Sequence, residues 1–117
     1  MAEKYTIYHN PRCRKSREAL NFLVEEGVDH EVVKYLDEPL KPKDLKLILA
    51  KLDLNVTDVI RKEERMFKEK YKGLDFTDDE WLMVLDENPK LLQRPIVVKG
   101  SKAVIGRPLE NLKNLLK

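Results

Sequence analysis

The sequence predicts one α/β domain built on a mixed four-stranded sheet, with a helical insertion at about residues 42–88. Three features predict this class. A strand, a helix and a second strand follow one another closely in residues 4–36, helix-spaced apolar residues fill the middle, and two short strands lie near the end. A chain of 117 residues is long enough for one core but not for two.

The first half of the sheet is predicted from residues 4–36. Residues 4–8 alternate β-favouring types, and Asn10-Pro11 ends that strand. A helix is predicted over residues 14–26, with Gly27 as the residue type expected just past its end. Its apolar stripe consists of Ala19, Leu20, Leu23 and Val24. A second strand at residues 30–36 would run parallel to the first.

The insertion is predicted to contain four helical segments. The first covers residues 42–51 and begins at Pro42, and a short one follows Asn55, which is a suitable capping residue. A charged helix is predicted at residues 63–71. The last begins after the capping box of residues 77–80 and ends near Asn88.

Residues 96–99 and 102–105 predict two antiparallel strands, because Gly100-Ser101 suits a two-residue hairpin turn. Pro108 then opens a final helix. The order β-α-β, helices, β-β-α is the plan of a thioredoxin-like domain. In such domains a proline just before the third strand is usually cis and faces the first loop, and Pro95 has that position here.

Composition excludes several classes of function. The formal net charge of +2 gives no general reason to bind nucleic acid, and no apolar run approaches the ~20 residues of a membrane span. The N-terminus lacks the apolar segment of a signal peptide, and a single cysteine suits a reducing cytoplasm. No Cys/His cluster has zinc-binding spacing, so no metal site is expected.

That cysteine, Cys13, lies where the first loop meets the first helix. N–H groups at a helix start favour an anion, so they lower the pKa of a thiol. Arg14 and its basic neighbours add positive charge, and Ser16 makes the motif Cys-x-x-Ser. His9 and Asn10 supply polar groups before the loop. A lone cysteine is often a buried apolar residue, but this setting predicts a reactive thiol.

Three arginines are candidates to bind an anion beside this thiol. Arg94 precedes the third strand, and Arg107 follows the fourth strand on the loop side. Arg61 closes the short helix of the insertion. Guanidinium groups that meet at one point would hold a tetrahedral oxyanion through bidentate hydrogen bonds. Each of these arginines by itself is typical of a protein surface. The prediction of an anion site therefore depends on their convergence on Cys13.

The chain resembles the glutaredoxin-dependent arsenate reductases, a family with the thioredoxin fold. The matching motifs run in the family's order from end to end: YTIYHNPRCRKSR, LDEP, VIRK, FTDDE, RPIVV and GRP. The resemblance implies that Cys13 attacks arsenate. It also implies that Arg61, Arg94 and Arg107 bind the oxyanion and the arsenic adduct.

The resemblance implies supporting roles and partners as well. His9 would help to keep the cysteine ionised, and Ser16 would hydrogen-bond the thiolate. The implied reaction forms a Cys–S–As(V) adduct, which glutathione attacks and glutaredoxin resolves as arsenite leaves. In this scheme no cofactor is bound and glutathione is a co-substrate, which suits a chain with no second cysteine.

Other functions stay open at this point, as does the oligomeric state. Spx-type transcription regulators share the fold and bind RNA polymerase, but they typically carry Cys-x-x-Cys where this chain has Ser16. A monothiol glutaredoxin-like reductase would not need the set of arginines. The arsenate reductases usually have small or neutral residues at the positions of Arg14 and Lys15, which leaves the physiological oxyanion open.

Overall fold

The computed structural model describes residues 4–117, which fall into two compact units. One unit consists of the chain up to Glu38 together with Arg94–Lys117, and the other is Pro39–Gln93. The second unit includes the whole of the predicted insertion at about residues 42–88. None of the helices in residues 4–117 has both the length and the apolar character needed to cross a bilayer.

The first unit contains the mixed four-stranded sheet in the order β2-β1-β3-β4. Its strands are β1 (Tyr5–His9), β2 (His30–Lys34), β3 (Ile96–Lys99) and β4 (Lys102–Ile105). β1 pairs parallel with β2 and antiparallel with β3, and β3 pairs antiparallel with β4. The predicted βαβ and hairpin arrangements are therefore confirmed, and β1 has an inner position.

The predicted boundaries of four elements in this unit were wrong by one or two residues. β1 continues to His9, because its backbone still pairs with Lys34 there. β2 ends at Lys34, whose carbonyl turns the chain by accepting the N–H groups of Asp37 and Glu38 at 3.0 and 2.9 Å. Helix α1 spans Arg14–Glu25, and the last helix, α5, spans Glu110–Leu116 and so begins two residues after Pro108.

The core of the first unit lies between the sheet and the helices α1 and α5. It is made by Tyr5, Ile7, Ala19, Leu23, Val97, Leu112 and Leu115. Leu23 is fully buried, whereas Val24, which the helical spacing also predicted to be apolar core, is 57% exposed. Successive residues differ by about 100° around a helix, so only one of the two faces the sheet.

We expect Leu23→Ala to lower the free energy of unfolding by about 2–5 kcal/mol, because it opens a cavity in this core. Val24→Ala, the matched control one residue along the same helix, should change it by less than about 0.5 kcal/mol. Both values can be measured by urea denaturation. Equal losses in the two variants would show that α1 does not pack by the face described.

The second unit contains helices α2 (Pro42–Leu52), α3 (Arg65–Lys70) and α4 (Asp78–Glu87), with short 3₁₀ turns at Val56–Val59 and Pro89–Leu91. The predicted capping box is confirmed: the Glu80 N–H donates to Thr77 Oγ1 at 3.2 Å and the Thr77 N–H to Glu80 Oε1 at 3.0 Å. Trp81 on α4 is buried, with the Phe76 ring 4.8 Å and the Phe67 ring 5.9 Å from it. The turn at Pro89–Leu91 was not predicted.

Candidate active site

Cys13 immediately precedes α1, and the loop before it is fixed by local hydrogen bonds. Its N–H donates to the Asn10 carbonyl at 3.0 Å, and its carbonyl accepts the Arg17 N–H at 3.0 Å. The Asn10 side chain accepts the Arg12 N–H, also at 3.0 Å. Cys13 is 9% exposed. The sulfur therefore lies in a largely enclosed position at the start of a helix.

The pKa of the Cys13 thiol is lowered even though the residue is buried. Burial by itself raises this pKa, because a charged sulfur loses solvation. The N–H of Ser16, the charge of Arg94, the N–H of Lys15 and a side-chain hydrogen bond from Arg94 act in the opposite direction and outweigh it. Cys13 is thus ionised over a wider range of pH than an ordinary cysteine.

We expect alkylation of Cys13 by iodoacetamide to accelerate with pH around a midpoint below the ~8.5 of a free cysteine. Alkylation consumes the thiolate, so the rate climbs as pH rises through the folded-state pKa and levels off above it. The chain has one cysteine, so the signal is unambiguous. The same protein unfolded in guanidinium chloride is the control, and a folded midpoint equal to or above the unfolded one would refute the expectation.

Arg94 supplies unsatisfied donors beside this sulfur. The bond between Arg94 and the buried Pro95 is cis, as predicted. Arg94 Nε and Nη1 are buried and have no hydrogen-bond partner among residues 4–117. Buried charged donors without partners are costly, and an oxyanion at this position would accept both of these N–H groups. Cys13 and Arg94 together therefore form a candidate anion site.

The Ser16 hydroxyl contacts His9 rather than the sulfur. His9 Nδ1 and Ser16 Oγ are 2.6 Å apart and both residues are buried. Ser16 Oγ also accepts the Asn10 N–H at 3.0 Å. Ser16 was predicted to hydrogen-bond the thiolate, and it does so through its backbone N–H.

His9 has an imidazole of lowered pKa. Its burial, together with the charges of Lys34 and Arg17, lowers the pKa of the imidazole below its ordinary value. The predicted role of His9 in keeping the cysteine ionised stays a prediction. In this structure the contact from His9 towards Cys13 runs through Ser16.

The side chains of Arg14 and Lys15 lie along α1, where both are near Glu18. Arg14 Nε is 3.4 Å from Glu18 Oε1, and Lys15 Nζ is 3.7 Å from Glu18 Oε2. The Arg14 side chain is 84% exposed. The charge that lowers the pKa of Cys13 comes from Arg94, and Lys15 contributes through its backbone N–H. The predicted positive charge from Arg14 is therefore largely a surface feature.

The GRP motif contributes a close backbone contact. The Gly106 N–H donates to the Pro95 carbonyl at 2.8 Å. A Cβ at Gly106 would lie 3.0 Å from Pro95 Cγ and 3.6 Å from Ala19 Cβ, so glycine lets β4 approach both. This role of Gly106 was not predicted, although the GRP motif that contains it is evident in the sequence. Arg107, the next residue, is exposed, and it forms no hydrogen bond or electrostatic interaction with Cys13 within residues 4–117.

Arg61 belongs to the second unit, where it is largely buried. Its Nη1 donates to the Lys90 carbonyl at 3.1 Å, and its side chain is 15% exposed. Glu63 and Glu64 lie 3.8 and 3.7 Å from its nitrogens, while Nε is buried without a hydrogen-bond partner among the described residues. The predicted role of Arg61 as an anion ligand stays a prediction.

The mixed sheet, the cysteine at a helix start and the arginine before a cis-proline define a thioredoxin-like protein with a candidate thiol site. A model of the ArsC family matches residues 8–115, and the chain belongs to this family. The family resemblance and the fold predicted from the sequence are thereby confirmed.

Individual relatives agree with this assignment. An arsenate reductase of Neisseria meningitidis serogroup A is 46% identical over 114 residues, which is 94% of this chain and 96% of the relative. YfgD of Escherichia coli K12, described as uncharacterized, is 42% identical over 96% of both chains. The solved structure of an arsenate reductase from Vibrio cholerae has a TM-score of 0.90 at 39% identity, covering 97% of this chain and 98% of that one.

Proposed function

We propose that the protein is an arsenate reductase in which the Cys13 thiolate is the nucleophile. The observation that carries the proposal is the pairing of a thiol of lowered pKa with the unpartnered, buried N–H groups of Arg94. Arsenate is a tetrahedral oxyanion, and its oxygens accept such donors well. The arsenate reductase of Neisseria meningitidis, at 46% identity, supports this choice of substrate.

In the first step the Cys13 sulfur attacks arsenic. An S–As bond forms, one As–O bond breaks, and the departing oxygen leaves as water after it is protonated. Arg94 holds the remaining oxygens and offsets their charge, which is the kind of electrostatic stabilisation that contributes most to such reactions. The N–H groups of Ser16 and Lys15 keep the sulfur ionised until it attacks.

The later steps use thiols from outside, because the chain has one cysteine. Glutathione adds its sulfur to the adduct and releases a second water. A glutaredoxin thiolate then attacks the glutathione sulfur, and the electron pair of the As–S bond stays on arsenic. Water finally displaces Cys13 from As(III) and arsenite leaves. Glutathione and glutaredoxin end as a mixed disulfide and have supplied the two electrons that reduce As(V) to As(III). This requirement for reduced glutathione favours a cytoplasmic location.

The proposal is tested by following NADPH oxidation with arsenate, glutathione, glutaredoxin and glutathione reductase present. The rate should saturate with arsenate and fall to background when either glutathione or glutaredoxin is left out. No arsenate-dependent rate under any thiol system would refute the activity. A rate supported by thioredoxin and thioredoxin reductase instead would refute the glutathione route and retain the activity.

A further inference from the structure

A separate cavity lies beside the loop that leads to Cys13. It has a volume of about 320 Å³ and is lined by Asn10, Pro11, Arg12, Lys34, Leu36 and Asp37. All of these residues belong to the first unit. The cavity therefore lies between the loop after β1 and the turn after β2, and its volume is within the range of small-molecule sites.

Three of the lining residues carry charges that are free to bind a ligand. Within residues 4–117, the side chains of Arg12, Lys34 and Asp37 form no ion pair and no hydrogen bond. Lys34 also lies close enough to the buried His9 for its charge to lower the pKa of the imidazole. Two cations and one carboxylate thus line one cavity at the edge of the candidate active site.

The backbone that carries these charges is fixed on both sides of the cavity. On one side, the Arg17 guanidinium donates to the Pro11 carbonyl at 2.9 Å, and the Arg12 N–H donates to the Asn10 side chain. On the other, the Lys34 carbonyl accepts the Asp37 N–H at 3.0 Å. The backbone that carries the exposed side chains of Arg12, Lys34 and Asp37 is therefore held in place, so little backbone entropy is lost when a ligand binds.

We propose that this cavity binds glutathione, the co-substrate of the proposed function, on which this inference rests. Glutathione carries two carboxylates and one ammonium group at neutral pH, and its thiol lies on the central residue. The cavity matches these groups in number and sign. Arg12 and Lys34 bind the two carboxylates, Arg12 in bidentate geometry, and Asp37 binds the ammonium group.

The position of the cavity suits delivery of the thiol to an adduct on Cys13. Arg12 is the residue before Cys13, so their Cα atoms are about 3.8 Å apart. An extended tripeptide spans roughly 10 Å, so a glutathione anchored at its two ends brings its central sulfur close to the start of α1. Arg94 remains available to hold the arsenic oxygens.

S-methylglutathione is the probe for this site, because it keeps all three charges but has no free thiol. Titrated into ¹⁵N-labelled protein, it should shift the amide resonances of Asn10, Arg12 and residues 34–37. Lys34→Gln should weaken binding about threefold, and the double variant Arg12→Gln/Lys34→Gln about tenfold. Lys102→Gln changes an exposed lysine of β4 outside the cavity, and it should bind the probe as the unmodified protein does.

A second matched pair tests the ammonium contact. Asp37→Asn should weaken binding, whereas Glu38→Gln, its exposed neighbour, should not. Equal affinities of the double variant and the unmodified protein, or resonance shifts confined to other residues, would overturn the proposal. These titrations contain no arsenate, so they are independent of the proposed activity. Arsenate reduction with an unchanged KM for glutathione in the double variant would retain the activity and overturn the glutathione site.

Discussion

Cys13→Ser is expected to abolish arsenate reduction, with a loss of at least about 10³-fold in kcat. The hydroxyl of serine is far less acidic than a thiol, so the N–H groups and the charge that ionise Cys13 cannot produce an alkoxide at this position. No other thiol in the chain can replace it, since Cys13 is the only cysteine. The measurement is the glutaredoxin-coupled rate of NADPH oxidation at saturating arsenate.

The control for this variant is its folding and its affinity for anions. Serine is close to cysteine in size, so the thermal unfolding midpoint should change little. Arg94 stays in place, so sulfate should still raise that midpoint in the variant, because an anion that binds the native state stabilises it. If Cys13→Ser retained a tenth or more of the rate, the sulfur would not be the nucleophile.

Arg94→Gln should lower kcat/KM for arsenate by about 10²–10³-fold, the usual cost of removing a donor that stabilises developing negative charge. It removes both buried N–H groups that lack partners. It also removes a charge and a hydrogen bond that lower the pKa of Cys13. The midpoint of Cys13 alkylation should therefore move to higher pH in the same variant, which a purely structural role would not require.

Arg65→Gln is the matched control for Arg94→Gln. The Arg65 side chain is 91% exposed and pairs with Glu69 at 2.8 Å, an exposed contact of the kind that contributes little. Its kcat/KM and alkylation midpoint should equal those of the unmodified protein. An unchanged alkylation midpoint in Arg94→Gln would contradict the thiol–guanidinium contact, whatever happened to the rate. Arg61→Gln and Arg107→Gln in the same assays would test the two arginines whose roles stay predictions.

The fold could be predicted because the sequence carries its signals in order. Residues 96–105 show why the hairpin was clear: two β-favouring runs flank Gly100, which has the positive φ of 58° that such a turn requires. Helix faces were less certain. Leu23 and Val24 are equally apolar in the sequence, and only packing against the sheet buries the first and exposes the second.

The sequence predicted which residues form the candidate site better than it predicted the hydrogen bonds between them. Cys13 and Arg94 could be paired from the position expected for Pro95 in a thioredoxin-like plan. The sequence does not reveal that the Ser16 hydroxyl binds His9 while the Ser16 N–H faces the sulfur. Such choices depend on distances of a few tenths of an ångström, which residue types alone do not determine.

The discontinuity of the first unit has a consequence for biosynthesis. Cys13 is translated well before Arg94 and strand β3, which pairs with β1. An unfinished polypeptide therefore has a thiol without its guanidinium partner. Full acidity of that thiol arises only once the last strands have docked. A product truncated before Arg94 thus carries a less reactive cysteine.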